Sequence, residues 1–176
     1  GFSADAVISK DLPLESNDII GKSWGYVTND TIDRSTKELV HLLIKSAGLG
    51  ANFLLNIGPT PEGEVRPAHK ERLLGMGEWL KTYGETIYGT RKSFMKPAEW
   101  GVAVEKRGKI YLHITNAVAA ENKIELKNFP YKIGSAIQFE NRNKIEFNTS
   151  GKSVILQTPH LKPEAIDNVI VLKVKK

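Results

Sequence analysis

The chain contains no cysteine, which excludes disulfides and thiolate-held metal sites while leaving the compartment open. It has no apolar run approaching the roughly 20 residues that cross a bilayer as a helix. Gly1-Phe2-Ser3-Ala4-Asp5 offers neither a basic n-region nor an apolar h-region, and no initiator methionine. That reads as an interior start, with any targeting peptide lying upstream. Gly48, Gly50 and Gly58 lack the Gly-Lys-Ser/Thr ending of a phosphate loop. His69, His113 and His160 fall in unrelated segments without ligand spacing, so no metal is expected. Internal repeats and low-complexity tracts are also missing.

What is present suffices for an ordinary fold. The chain has 176 residues, 40% of them hydrophobic, enough for one domain or two small ones. Twenty-five Lys and Arg against 20 Asp and Glu give a net charge of +5. The basic residues are scattered, and the longest run is Lys173-Val174-Lys175-Lys176. Scattered charge reads as a solvated surface, so neither a nucleic acid nor a membrane is expected as partner.

Periodicity changes near Pro97, which suggests one domain over 1–96 and a second over 97–176. Gly1 to Arg34 reads as irregular. A helix is predicted from Ser35 to Ala47, opened by a capping box of Ser35 and Glu38 and ended by Gly48 and Gly50. His41 falls in its apolar stripe and reads as a core histidine. Residues 51–59 form a short apolar run between glycines, as in a strand buried on both faces. Pro67 then starts a helix reaching about Tyr83, with Leu73, Leu74, Met76, Trp79 and Leu80 at helical spacing. Helix–strand–helix with short loops is the unit of a barrel or a doubly wound α/β fold. From Glu99 onward about seven alternating strands are expected: 101–105, 109–114, 123–126, 133–139, 144–147, 153–157 and 168–174. That spacing suggests an antiparallel sandwich or small barrel.

Three stretches are specific in combination. They are Leu14-Glu15-Ser16-Asn17-Asp18 through Ser23-Trp24-Gly25-Tyr26, then Gly50-Ala51-Asn52-Phe53-Leu54-Leu55-Asn56-Ile57-Gly58-Pro59, and Gly84-Glu85-Thr86-Ile87-Tyr88 after the second helix. Their order and spacing resemble the C-terminal end of the retaining α-L-fucosidase catalytic domain, over about residues 11 to 95. The resemblance implies an α/β part, the last strand–helix units of a (β/α)₈ barrel, followed by an all-β accessory sandwich. It implies removal of terminal α-L-fucose from glycans by double displacement, with an aspartate nucleophile, a separate acid/base and no metal or organic cofactor. In such chemistry the two carboxyl groups stand about 5–5.5 Å apart. The family's nucleophile lies on a middle barrel strand and its acid/base shortly before Glu15. Neither can be assigned in this chain, so no catalytic residue is named and the chain alone is expected to be inert. Its implied partners are a fucosylated glycan and the missing N-terminal barrel segment. A secreted, periplasmic or lysosomal setting is implied by the resemblance alone.

The match carries three substrate-binding candidates. Trp24 would face the apolar side and methyl group of the sugar, or plug the barrel mouth. Glu15 would line the site from a loop, serve there as the acid/base itself, or cap local structure. Asn56 would bond a sugar hydroxyl, or lock the neighbouring loop. Two other readings stay open: a non-catalytic carbohydrate-binding module using coplanar exposed aromatics of the sandwich, and a fragment that complements a partner chain.

Overall fold

A computed structural model of the chain describes residues 12–30 and 33–175. The chain divides into two compact units, Gly1–Tyr88 and Gly89–Lys176. The division falls ahead of Pro97 because the short strand Arg91–Lys92 (β3) already pairs with the sandwich strand Gly101–Lys106 (β4).

In the first unit, Leu14–Ile19 (β1) and Ala51–Asn56 (β2) pair in parallel, Glu15 opposite Asn52 and Ile19 opposite Asn56. Between them runs the helix Thr36–Gly48 (α1), and after them Pro67–Tyr83 (α2). A parallel pair needs a crossover connection, and α1 supplies it. The capping box forms as the residue types require: the Ser35 hydroxyl accepts from the Glu38 amide at 3.2 Å, and Glu38 accepts from the Ser35 amide at 2.7 Å. Leu39, Val40 and Ile44 bury the inner face of α1.

Four expectations change here. The stretch read as irregular contains β1, whose Glu-Ser-Asn-Asp core carries almost no strand propensity; pairing to β2 overrides composition. The strand at 51–56 is not buried on both faces, since Asn52 and Leu54 are exposed while Ala51, Phe53 and Leu55 are half-buried. In α2, Leu73 and Leu74 are also exposed, and the helix buries His69, Met76 and Trp79 instead. His41 is half-buried and not part of the core.

The second unit is an antiparallel β-sandwich. One sheet runs in the order β3, β4, Lys109–Ile114 (β5), Asn168–Lys175 (β10), Lys132–Gln138 (β7). The other runs Asn122–Leu126 (β6), Ser153–Thr158 (β9), Phe147–Ser150 (β8). Alternation along the strands sends Ile110, Leu112, Ile114, Ile124, Leu126, Leu156, Ile170 and Leu172 into one shared hydrophobic cluster. The strand expected at 144–147 instead starts at Phe147. Residues 144 and 145 bond to β7, through a Lys144–Ile137 bridge and the Ile145 amide on the Ala136 carbonyl.

Candidate functional site

The C-terminal ends of β1 and β2 carry a loop that the sequence alone describes poorly. The Ile20 amide donates to the Asn56 carbonyl at 3.3 Å, extending the parallel pairing by one step. The chain then turns outward and returns at Arg34, whose amide donates to the Ile20 carbonyl at 2.9 Å. The Arg34 guanidinium pairs with Asp18 and donates to the Ile19 carbonyl at 2.6 Å.

Burial of Asp18 works to raise its pKa. The Arg34 hydrogen bond, the Ile19 amide and the Arg34 charge outweigh that, and the carboxyl sits below its ordinary range.

Charged side chains hold the rest of the loop. Asp30 accepts from the amides of Lys22 and Ser23 at 2.9 and 3.3 Å. Arg66, at the entrance of α2, donates to the Asp30 carbonyl at 2.5 Å and to the Asp33 carboxylate at 3.1 Å. His69 lies 3.0 Å from that same carboxylate and is buried. A side chain added at Gly21 would meet Asp30 at 3.0 Å and Arg66 at 3.1 Å, so this cluster closes around a backbone without a Cβ.

At the tip of the loop stands Trp24, with 55% of its surface exposed. Its backbone is fixed while its ring is presented. The Asn56 amide donates to the Trp24 carbonyl at 2.5 Å. Gly58 packs so closely under Gly25 that an added Cβ would stand 3.0 Å from the Gly25 carbonyl oxygen. A rigid main chain bearing an exposed indole is a ready apolar contact for a ligand.

Of the three candidates, Trp24 and Asn56 come together at the same strand ends. Glu15 does not join them. It stands within β1 and not on a loop, opposite Asn52, four positions along the strand from the Asn56 level, or roughly 13 Å. It does share the exposed sheet face with Asn17, Asn52 and Leu54.

His69 and His113, read as lacking metal-ligand spacing, each meet a carboxylate: Asp33 for the first, and Asp167 at 2.7 Å for the second. Asp33 and Arg66 are 33 positions apart, so no local spacing could have announced the pair. Among the described residues no group of three or more His, Asp or Glu could hold a metal ion. The helices there are also too short or too polar to cross a membrane.

The aromatic residues of the sandwich do not make a flat platform. Phe94, Phe129 and Tyr131 meet edge to face, with interplanar angles of 73°, 83° and 89°. Tyr111 and Phe129 are buried. These rings do not supply the coplanar exposed surface that would support the binding-module reading.

Residues 4–85 match the family model described as Alpha-L-fucosidase. The tissue α-L-fucosidase of Bos taurus is 32% identical over 170 residues, covering 88% of this chain and 34% of that protein. The tissue α-L-fucosidase of Mus musculus is 40% identical over 95 residues, 53% of this chain and 20% of that one. Among solved structures, a Thermotoga maritima α-fucosidase in complex with fucose superposes with a TM-score of 0.76 at 30% identity, over 89% of this chain and 39% of that chain. α-L-fucosidase isoenzyme 1 from Paenibacillus thiaminolyticus gives a TM-score of 0.85 over 99% of this chain, and at 23% identity it speaks for the fold alone. The chain thus spans only about a third of the Bos taurus protein and a fifth of the Mus musculus one.

Proposed function

The chain belongs to the α-L-fucosidase family and corresponds to part of such an enzyme, and from that premise we propose that it supplies the closing strands of a (β/α)₈ catalytic barrel together with an accessory sandwich. The assembled enzyme would be a glycoside hydrolase that releases terminal α-L-fucose from glycans with retention. The resemblance puts the nucleophile on a middle barrel strand, so this portion contributes binding surface and not the attacking carboxylate. One carboxyl would form the glycosyl-enzyme and the other would move the proton.

One observation carries the reading. The parallel β1–β2 pair turns one face to its helices and leaves Glu15, Asn17, Asn52 and Leu54 exposed on the other, as two staves of a barrel would with the remaining staves removed. Barrel enzymes place their sites at the C-terminal ends of the strands. Those ends are where Asn56 locks the main chain of Trp24. Sugar contact by the indole is chemically apt because a 6-deoxy sugar offers a methyl group where an ordinary hexose carries a hydroxymethyl group.

The test is a chimera. The 176-residue chain replaces the corresponding C-terminal portion of the Thermotoga maritima α-fucosidase, and release of phenol from an aryl α-L-fucoside is followed. The chimera should hydrolyse the fucoside, while the isolated chain should not. Trp24→Ala in the chimera should lower kcat/KM by at least about tenfold, on the scale of one lost aromatic contact. A folded chimera that ignores the fucoside, or one indifferent to Trp24→Ala, would sink the assignment or the role of the ring, respectively.

A further inference from the structure

The basic residues, scattered in the sequence, are gathered by strand pairing at one end of the sandwich. Arg107 and Gly108 have φ of 50° and 76°, the conformation of a two-residue turn whose twist suits a hairpin. That turn sets Lys106 of β4 directly opposite Lys109 of β5. β10 then sets Lys173 opposite the same Lys109, and β7 sets Lys132 opposite Lys175. Like charges directly opposite on a sheet oppose its formation. Pairing thus gathers five lysines and Arg107 at one sheet end, an arrangement that favours an anion laid across it.

The geometry suits an extended ligand. Neighbouring strands lie about 4.8 Å apart, so the row Lys106–Lys109–Lys173 spans roughly 10 Å and can meet several charges along one chain. Shallow clefts of about 400 and about 550 Å³ flank the Arg107-Gly108 turn. Arg91 lines the first, where Glu105 is the single acidic residue. Arg107, Lys132, Lys173 and Lys175 are exposed, and Lys106 and Lys109 half-buried. Five of these six are lysines, point charges without the fixed fork that a single planar anion would select. No aromatic residue lines either cleft, and Tyr111 beneath Lys109 is buried. Stacking platforms for nucleobases are therefore missing.

We propose that this ridge binds an acidic polysaccharide, one bearing sulfate or carboxylate groups along its chain. The choice of a glycan rests on the fucosidase reading; the choice of an anion rests on the ridge alone. The ridge would hold a charged glycan while its terminal residues are processed elsewhere, which raises local substrate concentration without touching the chemistry.

The probes are dextran sulfate, carboxymethyl dextran and uncharged dextran, titrated calorimetrically into the 176-residue chain at low salt. Either or both charged polymers should bind, the tighter one identifying the preferred acid group, and uncharged dextran should not. Lys109→Glu with Lys173→Glu should weaken binding by about tenfold or more, the scale of charges near an anionic surface. Lys123→Glu with Lys127→Glu, both exposed on or beside β6, changes net charge equally and should leave affinity within about twofold. Should the first pair disturb folding, Lys173→Glu with Lys175→Glu on exposed positions takes its place. Equal losses in both pairs, binding to neither polyanion, or tighter binding to duplex DNA than to dextran sulfate would each overturn the proposal. Hydrolysis plays no part in this assay, so its failure leaves the fucosidase reading standing, and failure of the chimera leaves the ridge untouched.

Discussion

The two units solve the burial problem unequally. In the sandwich, fourteen buried residues form one cluster between two sheets. In the first unit the buried apolar side chains among the described residues number six, from Ile20 to Trp79. That unit also carries nine of the eleven exposed large hydrophobic residues described, including Leu54, Leu74 and Trp24. A two-stranded sheet is marginal without further strands or covering layers. The comparison teaches that one unit encloses a core of its own while the other leaves much of its apolar surface uncovered.

The largest expected effect exploits that difference. Limited proteolysis of the chain should remove the first unit early and leave a resistant piece beginning between Gly89 and Glu99. Sites within opened regions are cut first because cleavage follows the population of open states. Fragments read by mass spectrometry decide the matter. Survival of an intact 176-residue chain while the sandwich is nicked would reverse the comparison.

Next comes a paired truncation. Leu112 is fully buried in the sandwich cluster and Leu74 is 60% exposed on α2. Leu112→Ala should destabilise by about 2–5 kcal/mol through lost transfer energy and a cavity. Leu74→Ala should change stability by no more than about 0.5 kcal/mol. Chemical denaturation of each variant gives the numbers. A large loss at Leu74 would mean that α2 is packed more completely than its exposure indicates.

Legibility in the sequence follows the same divide. Elements defined by local chemistry were readable: the Ser35–Glu38 box, Pro67 opening α2, and most of the alternating strands. What was not readable depends on residues far apart. β1 is a strand because β2 lies beside it, not because Glu15, Ser16, Asn17 and Asp18 favour extended backbone. The lock on the Trp24 loop joins Asp30, Asp33 and Arg66 across more than 30 positions. The lysine ridge escaped for a similar reason, since linear spacing says nothing of which strand ends meet. Motif resemblance singled out Trp24 and Asn56, and their 2.5 Å contact is the part only a folded chain displays. Glu15 shows the limit of motif transfer: the resemblance suggested a loop position, and the residue stands within β1 opposite Asn52.

The smallest expected effect concerns the Asp18–Arg34 pair, which tethers the return of the Trp24 loop to β1. Arg34 is about a third exposed, so solvent screening holds its contribution well below that of a buried pair. The sign nevertheless is definite. The folded pKa of Asp18 lies below its ordinary value of 3.8, so the pair contributes stability above that value and loses it as pH falls through the folded pKa. Amide exchange at Ile19 and Arg34 should therefore accelerate below about pH 4 in the wild-type chain, relative to the same amides in Asp18→Asn after correction for intrinsic exchange. At neutral pH, Asp18→Asn should already show the faster exchange, because the neutral amide cannot replace the carboxylate's charge. Arg34→Lys should restore only part of the protection, since one ammonium does not reproduce the guanidinium's simultaneous hold on the carboxylate and the Ile19 carbonyl. If wild type and Asp18→Asn exchange alike at neutral pH, the loop is held by Asp30, Asp33 and Arg66 instead, and the ionic tether on β1 is incidental to the placement of Trp24.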